Sequence, residues 1–286
     1  MARLAPSKSF RSATALAAAA LATLAGCSAL GDALGTPTAR IASVGLQDLQ
    51  LDGVTMLFDV EIENPYSVAL PLVNLGYALA SGGKSFLEGR AKLDGSVPAG
   101  GKRTIQVPAK LNFAGVLSAL TGLKPGAVFP YAAQLDLSVD APVVGRIGLP
   151  LETSGELPIP ALPKLEMPRI DVEKFGLTGV NAVLQFGIEN PNQFPISLDV
   201  FDYALKLGGN PVASSKVRDG SKIAANGTGK LRIPIEISTL DVGRGVLDLL
   251  RGNSAVYDVS GSMQLGTPFG AMPSPIKAAG NALIRN

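Results

Sequence analysis

One stretch of this chain occurs twice, and it limits the fold more than any other feature. The first copy runs from Gly53 to Glu63 and ends in Asn64-Pro65. The second runs from Gly179 to Glu189 and ends in Asn190-Pro191. In the first, Val54, Met56, Phe58, Val60 and Ile62 fall on one face, with Thr55, Asp59, Glu61 and Glu63 on the other. In the second, Val180, Ala182, Leu184, Phe186 and Ile188 share a face, opposite Asn181, Gln185 and Glu189. A period of two predicts a strand with one face on a core and one toward water. Asn-Pro then ends it, because Pro has no N–H for a ladder and an Asn side chain sets turns.

The offset of 126 residues between Asn64 and Asn190 holds without a gap far beyond the strand. It pairs Gly53 with Gly179, Leu72 with Leu198, Tyr77-Ala78-Leu79 with Tyr203-Ala204-Leu205 and Gly82-Gly83 with Gly208-Gly209. Further on it pairs Pro108 with Pro234, Tyr131 with Tyr257 and Pro142 with Pro268. A period this long marks a duplicated domain rather than a solenoid, whose units are typically about 20–50 residues. Four prolines between Leu157 and Pro168 predict an extended spacer over 161–168, with the first domain over 40–160 and the second over 169–275. The first half of that stretch also reads as an edge strand of the first domain.

Within each unit, alternating runs broken by Gly-rich turns predict antiparallel hairpins. One helix per unit is expected. The first spans Phe113 to Leu120 with Asn112 as N-cap and Gly122 as stop. The second spans Leu240 to Arg251, capped by Ser238 or Thr239 and stopped by Gly252. The closing strands are Tyr131 to Val139 and Ala255 to Leu265. About seven short strands at this spacing suggest a β-sandwich, so the fold class is all-β, two tandem sandwiches each with a short helix. The tail, 276–286, reads as helical from Ile276 to Ile284.

Composition removes most chemistry. The chain of 286 residues has no His, one Cys and no Trp. No Ser-His-Asp or Cys-His arrangement, no His- or Cys-based zinc site and no internal disulfide can be built. A formal charge of +2 and 5% aromatics give no basis for nucleic-acid binding. A carboxylate enzyme or a calcium site stays open in principle. Glu61 and Glu63 share a strand face, but Gly187 replaces the first of them in the second copy. Asp136 and Asp140 raise the same question. All four read most simply as solvated strand faces. Lys102-Arg103, and Lys216, Arg218, Lys222, Lys230 and Arg232, form either a basic patch for lipid headgroups and polyanions or scattered surface charge. Tyr77 and Tyr203 read as sandwich residues, and Asn64 and Asn190 as turn formers. No catalytic residue, metal or cofactor is expected.

The amino terminus has its own logic. Arg3, Lys8 and Arg11 precede an Ala-rich apolar run from Ala13 to Leu24, too short to span a membrane. This predicts a secretory signal over 1–26. Leu24-Ala25-Gly26-Cys27 resembles the lipobox of bacterial lipoproteins. That resemblance implies cleavage before Cys27, lipidation of its thiol and a short tether over 27–39. Ser28 stands where an Asp would favour inner-membrane retention, so the outer membrane is implied, with the body in the periplasm.

The alternating strand ending in Asn-Pro, the Gly turn and the later Pro-interrupted strand resemble the WHy domain of the late embryogenesis abundant type 2 family. Asn64, Pro65, Asn190 and Pro191 are the most specific positions. The resemblance implies fibronectin III-like sandwiches and a link to desiccation, cold or other stress. It carries no catalytic residues. Three functions follow as expectations: a non-enzymatic envelope lipoprotein that binds or shields macromolecules; a carrier of acyl chains or a scaffold docking envelope proteins; and, least supported, a carboxylate hydrolase. The partners expected are the membrane through Cys27, then lipids or envelope proteins, and no nucleic acid.

Overall fold

The structure is a computed structural model that describes residues 35–285 apart from 239 and 241. The signal, the lipobox with Cys27, most of the tether, and Thr239 therefore lie outside the described residues.

The first unit contains β1 (Thr38–Gln47), β2 (Gly53–Glu63), β3 (Leu70–Ser81), β4 (Lys84–Lys92), β5 (Ser96–Val97), β6 (Lys102–Asn112), α1 (Phe113–Ala119), β7 (Val128–Ala141) and β8 (Gly145–Pro158). One sheet runs β1-β2-β6. The other runs β4-β3-β7-β8, with β5 added on β3. All pairs are antiparallel. The predicted inner face of β2 is buried throughout, as are Ile105, Val107 and Leu111 of β6 and Leu135, Leu137 and Val139 of β7. Two alternating sheets facing each other make one core, the three-on-four sandwich that the period of two implies.

The second unit repeats this with β9 (Lys164–Phe175), β10 (Gly179–Glu189), β11 (Ile196–Leu207), β12 (Asn210–Val217), β13 (Ser221–Ile223), β14 (Thr228–Ser238), α2 (Gly243–Arg251), β15 (Ser254–Thr267) and β16 (Gly270–Arg285). Its two sheets are joined into one, in the order β12-β11-β15-β16-β9-β10-β14, by parallel pairing of Leu283, Ile284 and Arg285 with Arg169, Ile170 and Asp171.

Three expectations are corrected. The tail is strand β16, not helix. Its buried positions alternate through Met272, Ser274 and Ile276, and it completes the free edge of β15. Residues 164–168 are not spacer but the start of β9. Its register on β10 shifts between Glu166–Gly187 and Arg169–Gln185, a bulge of one extra residue in β9. The second helix begins at Gly243 behind Val242 rather than at Leu240, and among the described residues no side chain caps it. Ser238 cannot cap it, since it is held in the ladder opposite Gly179. The first helix agrees with expectation: Asn112 Oδ1 accepts from Gly115 N at 3.2 Å. Helices α1 and α2 close the same end of their sandwiches, inserting Phe113 and Val116, and Val246 and Leu250.

Candidate functional site

The Asn-Pro turns place buried polar side chains at one end of each sandwich. Asn64 is 1% exposed. Its amide nitrogen lies 2.8 Å from Val68 O, 3.2 Å from Val97 O and 2.9 Å from Pro98 O. Its Oδ1 accepts from Tyr66 N at 3.0 Å. Asn190 is fully buried and repeats the pattern on Phe194 O and Ala224 O, accepting from Asn192 N. Each Asn thus satisfies the loose carbonyls of two loops at once, at one end of its sandwich. A buried amide so engaged is a structural clamp with no free donor for a ligand.

The two turns differ at their third residue. Tyr66 occupies it in the first unit and Asn192 in the second. The Asn192 side chain pairs with the backbone of Ala161, accepting from its N–H at 2.7 Å and donating to its carbonyl at 3.1 Å. Gln193 N donates to Gly126 O at 2.7 Å, and Val128 N donates to Gln193 Oε1 at 3.0 Å. Gly126 has φ +94°, and a Cβ there would stand 2.6 Å from Pro191 O, so only Gly fits this approach. The units therefore meet head to tail, with the Asn190 turn of the second against the α1 end of the first. A cleft of about 600 Å³ opens beside the junction, between Val44 and Leu46 of β1, Thr153–Glu156 of β8, and Phe269.

The carboxylates suspected from sequence do not converge. Glu61 takes a two-point contact from Arg40, Glu63 pairs with Lys102, Glu189 with Lys164 and Asp140 with Arg146. These are exposed ion pairs, each contributing about 0–1 kcal/mol. Among the described residues no group of three or more His, Cys, Asp or Glu could hold a metal ion. Asp59 is held below the usual carboxylate range by hydrogen bonds from Ser43 Oγ and then Gln106 Nε2. Burial pushes the hydroxyls of Tyr131 and Tyr203 up. None of these shifts makes an acid–base pair.

The basic residues are divided among separate elements. Lys216 lies on β12 and Lys222 on β13, while Lys230 and Arg232 lie on β14. The last two share a cleft of about 570 Å³ with Arg169, whose charge is partly neutralised by Asp171 at 2.9 Å. Sequence reading missed Arg169, because only the register of β9 on β10 brings it there. It also missed Asn192, whose signal was its place where the first turn has Tyr66.

Among the described residues no helix is long and apolar enough to cross a membrane. The late embryogenesis abundant (LEA_2) family model matches residues 59–155 and again 185–280. The desiccation-related protein PCC27-45 of Craterostigma plantagineum is 30% identical over 126 residues, 44% of this chain and 83% of the relative. The desiccation protectant Lea14 homolog of Glycine max is 31% identical over the same length and shares. The solution structure of the late embryogenesis abundant protein At2g46140.1 of Arabidopsis thaliana, 28% identical, covers 52% of this chain and 84% of its own, with a TM-score of 0.39. Both units carry the family's sequence pattern on the same clamped sandwich, and the chain belongs to the LEA_2 late embryogenesis abundant family.

Proposed function

We propose that this protein is a non-catalytic, lipid-anchored component of a bacterial cell envelope that protects neighbouring macromolecules during desiccation or cold. The observation that carries this reading is the match of both units to a family whose relatives are named for desiccation. The lone Cys27 behind Leu24-Ala25-Gly26 supports the anchor, and Ser28 supports the outer membrane, with the body in the periplasm. The finer WHy assignment accords with Asn64-Pro65 and Asn190-Pro191 in their clamped turns.

Protection acts from the outer faces. The sandwich interiors are filled by side chains such as Phe58, Phe186, Phe201 and Tyr203, each at most 1% exposed. An acyl chain would have to displace them, so the carrier role is disfavoured against surface binding. The outer strand faces present alternating hydroxyls, amides and paired charges, which replace water at a neighbour's surface as the solvent is withdrawn.

The test dries and rehydrates a labile reporter enzyme with the full-length protein or with an equal mass of an unrelated β-sandwich protein. The expected result is higher recovered activity with this protein; equal recovery removes the protective role. In parallel, Cys27→Ser should move the protein from the membrane fraction to the soluble one. Retention of the variant in the membrane fraction rejects the anchor.

A further inference from the structure

The internal duplication exposes an unmatched surface. In the second unit the turn between β15 and β16 holds Phe269, whose ring packs edge-on against Phe194 with centroids 5.4 Å apart. The equivalent turn of the first unit, Pro142-Val143-Val144, is one residue longer. Val68 stands where Phe194 stands. Among the described residues nothing covers the three valines: Val68 is 50% exposed, Val143 96% and Val144 61%.

Val143 is also strained. Its φ is +69°, and Val144 N donates to Pro142 O at 2.8 Å, which makes a γ-turn of the rare hand around a β-branched residue. Folding does not need an apolar, strained residue at an exposed tip, and strain of this kind concentrates at functional positions.

The tip's place in the fold identifies what it meets. Thr38 pairs with Glu63, and Leu72 with Val139, so the start of β1, the Asn64 turn and the Val143 turn lie at one end of the first sandwich. Gly35, the first described residue, packs on Pro65 at that same end. Eight residue-to-residue steps separate it from Cys27, a reach of at most about 28 Å. The charges at this end are largely paired, Lys102 with Glu63 and Arg146 with Asp140, so the contact is apolar rather than electrostatic.

We propose that Val143 and Val144, with Val68 beside them, form an apolar tip that enters the headgroup layer of the bilayer carrying the anchor. This fixes the first unit end-on to the membrane and projects the second outward. The proposal rests on anchoring at Cys27.

The chain contains no Trp, so Val143→Trp introduces a unique fluorophore. The full-length lipidated variant is reconstituted in phosphatidylcholine vesicles, with Ser214→Trp on β12 as the distant control. The expected result for Val143→Trp is a blue-shifted emission that loses about half its intensity to lipids brominated near the headgroup, as an interfacial Trp would. Added salt should leave that signal unchanged, and the control should stay unquenched. Water-like, unquenched emission from Val143→Trp in protein that floats with the vesicles overturns the tip and leaves the anchor standing. Failure of the unsubstituted protein to float overturns both. A blue shift that grows with protein concentration in detergent, without bilayer, overturns the proposal in favour of a second copy covering the tip.

Discussion

The two sandwiches are built on one plan, and they close differently. In the second, β16 bends onto β9 and zips one seam between the sheets through Leu283, Ile284 and Arg285. In the first, β8 and β1 run side by side without pairing, and the seam opens into the cleft that Phe269 partly covers. Ile159 N donates to Ala127 O, as Ile284 N donates to Asn253 O. That match aligns Pro158 with Leu283 and Pro160 with Arg285. These are the two positions whose N–H groups would point across the seam, and in the first unit neither has one. Two prolines thus keep the first sandwich open and send the chain onward as the linker. Their absence lets the second close on itself.

The same comparison can be broken most strongly at the clamps. Asn64→Ala and Asn190→Ala each leave buried carbonyls unpaired and should destabilise their own unit by about 2–4 kcal/mol. Denaturant unfolding followed by domain-specific fluorine or amide NMR signals should show the mutated unit melting first. Loss of both units together in both variants would mean that they fold as one. Next in size is Leu283→Pro, which gives the second unit the first unit's residue. Leu283 is largely exposed, so the expected loss of about 1–3 kcal/mol comes from the ladder and not from packing. Amide exchange at Arg169–Asp171 should rise to the level of Ser43–Gly45; unchanged protection would deny the proline explanation.

Asn192→Ala should cost about 1–2 kcal/mol by removing the pair with Ala161, and should widen the interval between the melting of the two units. A calorimetric trace identical to that of the parent would show that Gln193 and Gly126 hold the junction alone. The smallest effect is expected at Tyr203. Its buried hydroxyl has no hydrogen-bond partner among the described residues, so Tyr203→Phe should be neutral or stabilising by about 1 kcal/mol. Burial raises its pKa in the folded state. Above about pH 10 the unfolded chain therefore loses the proton first, and stability falls as pH rises. The variant should lose less stability between pH 9 and 11 in denaturant titrations, all of these values being about the tyrosine range.

Much of the fold is legible residue by residue. The inner faces of β2 and β10 were readable because burial follows the period of two, which side-chain geometry imposes on any strand. Asn112 was readable as a cap because its role is local. Ser238 was misread because its backbone partner, Gly179, is 59 residues away. The tail was misread for a similar reason: Ala-rich residues near Ile276 suit a helix in isolation, and only the waiting edge of β15 made them a strand. The clamps illustrate both sides. Asn-Pro announces a turn, but nothing near Asn64 in sequence indicates that Val97 and Pro98 supply its partners.

The amino-acid sequence alone determined that this chain contains two copies of one alternating-strand unit, that His-based sites and an internal disulfide are closed to it, and where its prolines interrupt the ladders. These follow from composition and from periodicities that each residue carries with it. Tertiary structure decided which seam closes, which Asn-Pro turn grips the linker and which valines remain uncovered. Those outcomes depend on register between distant strands, where a single N–H present or missing, or one extra residue in a turn, is felt only after the chain has folded.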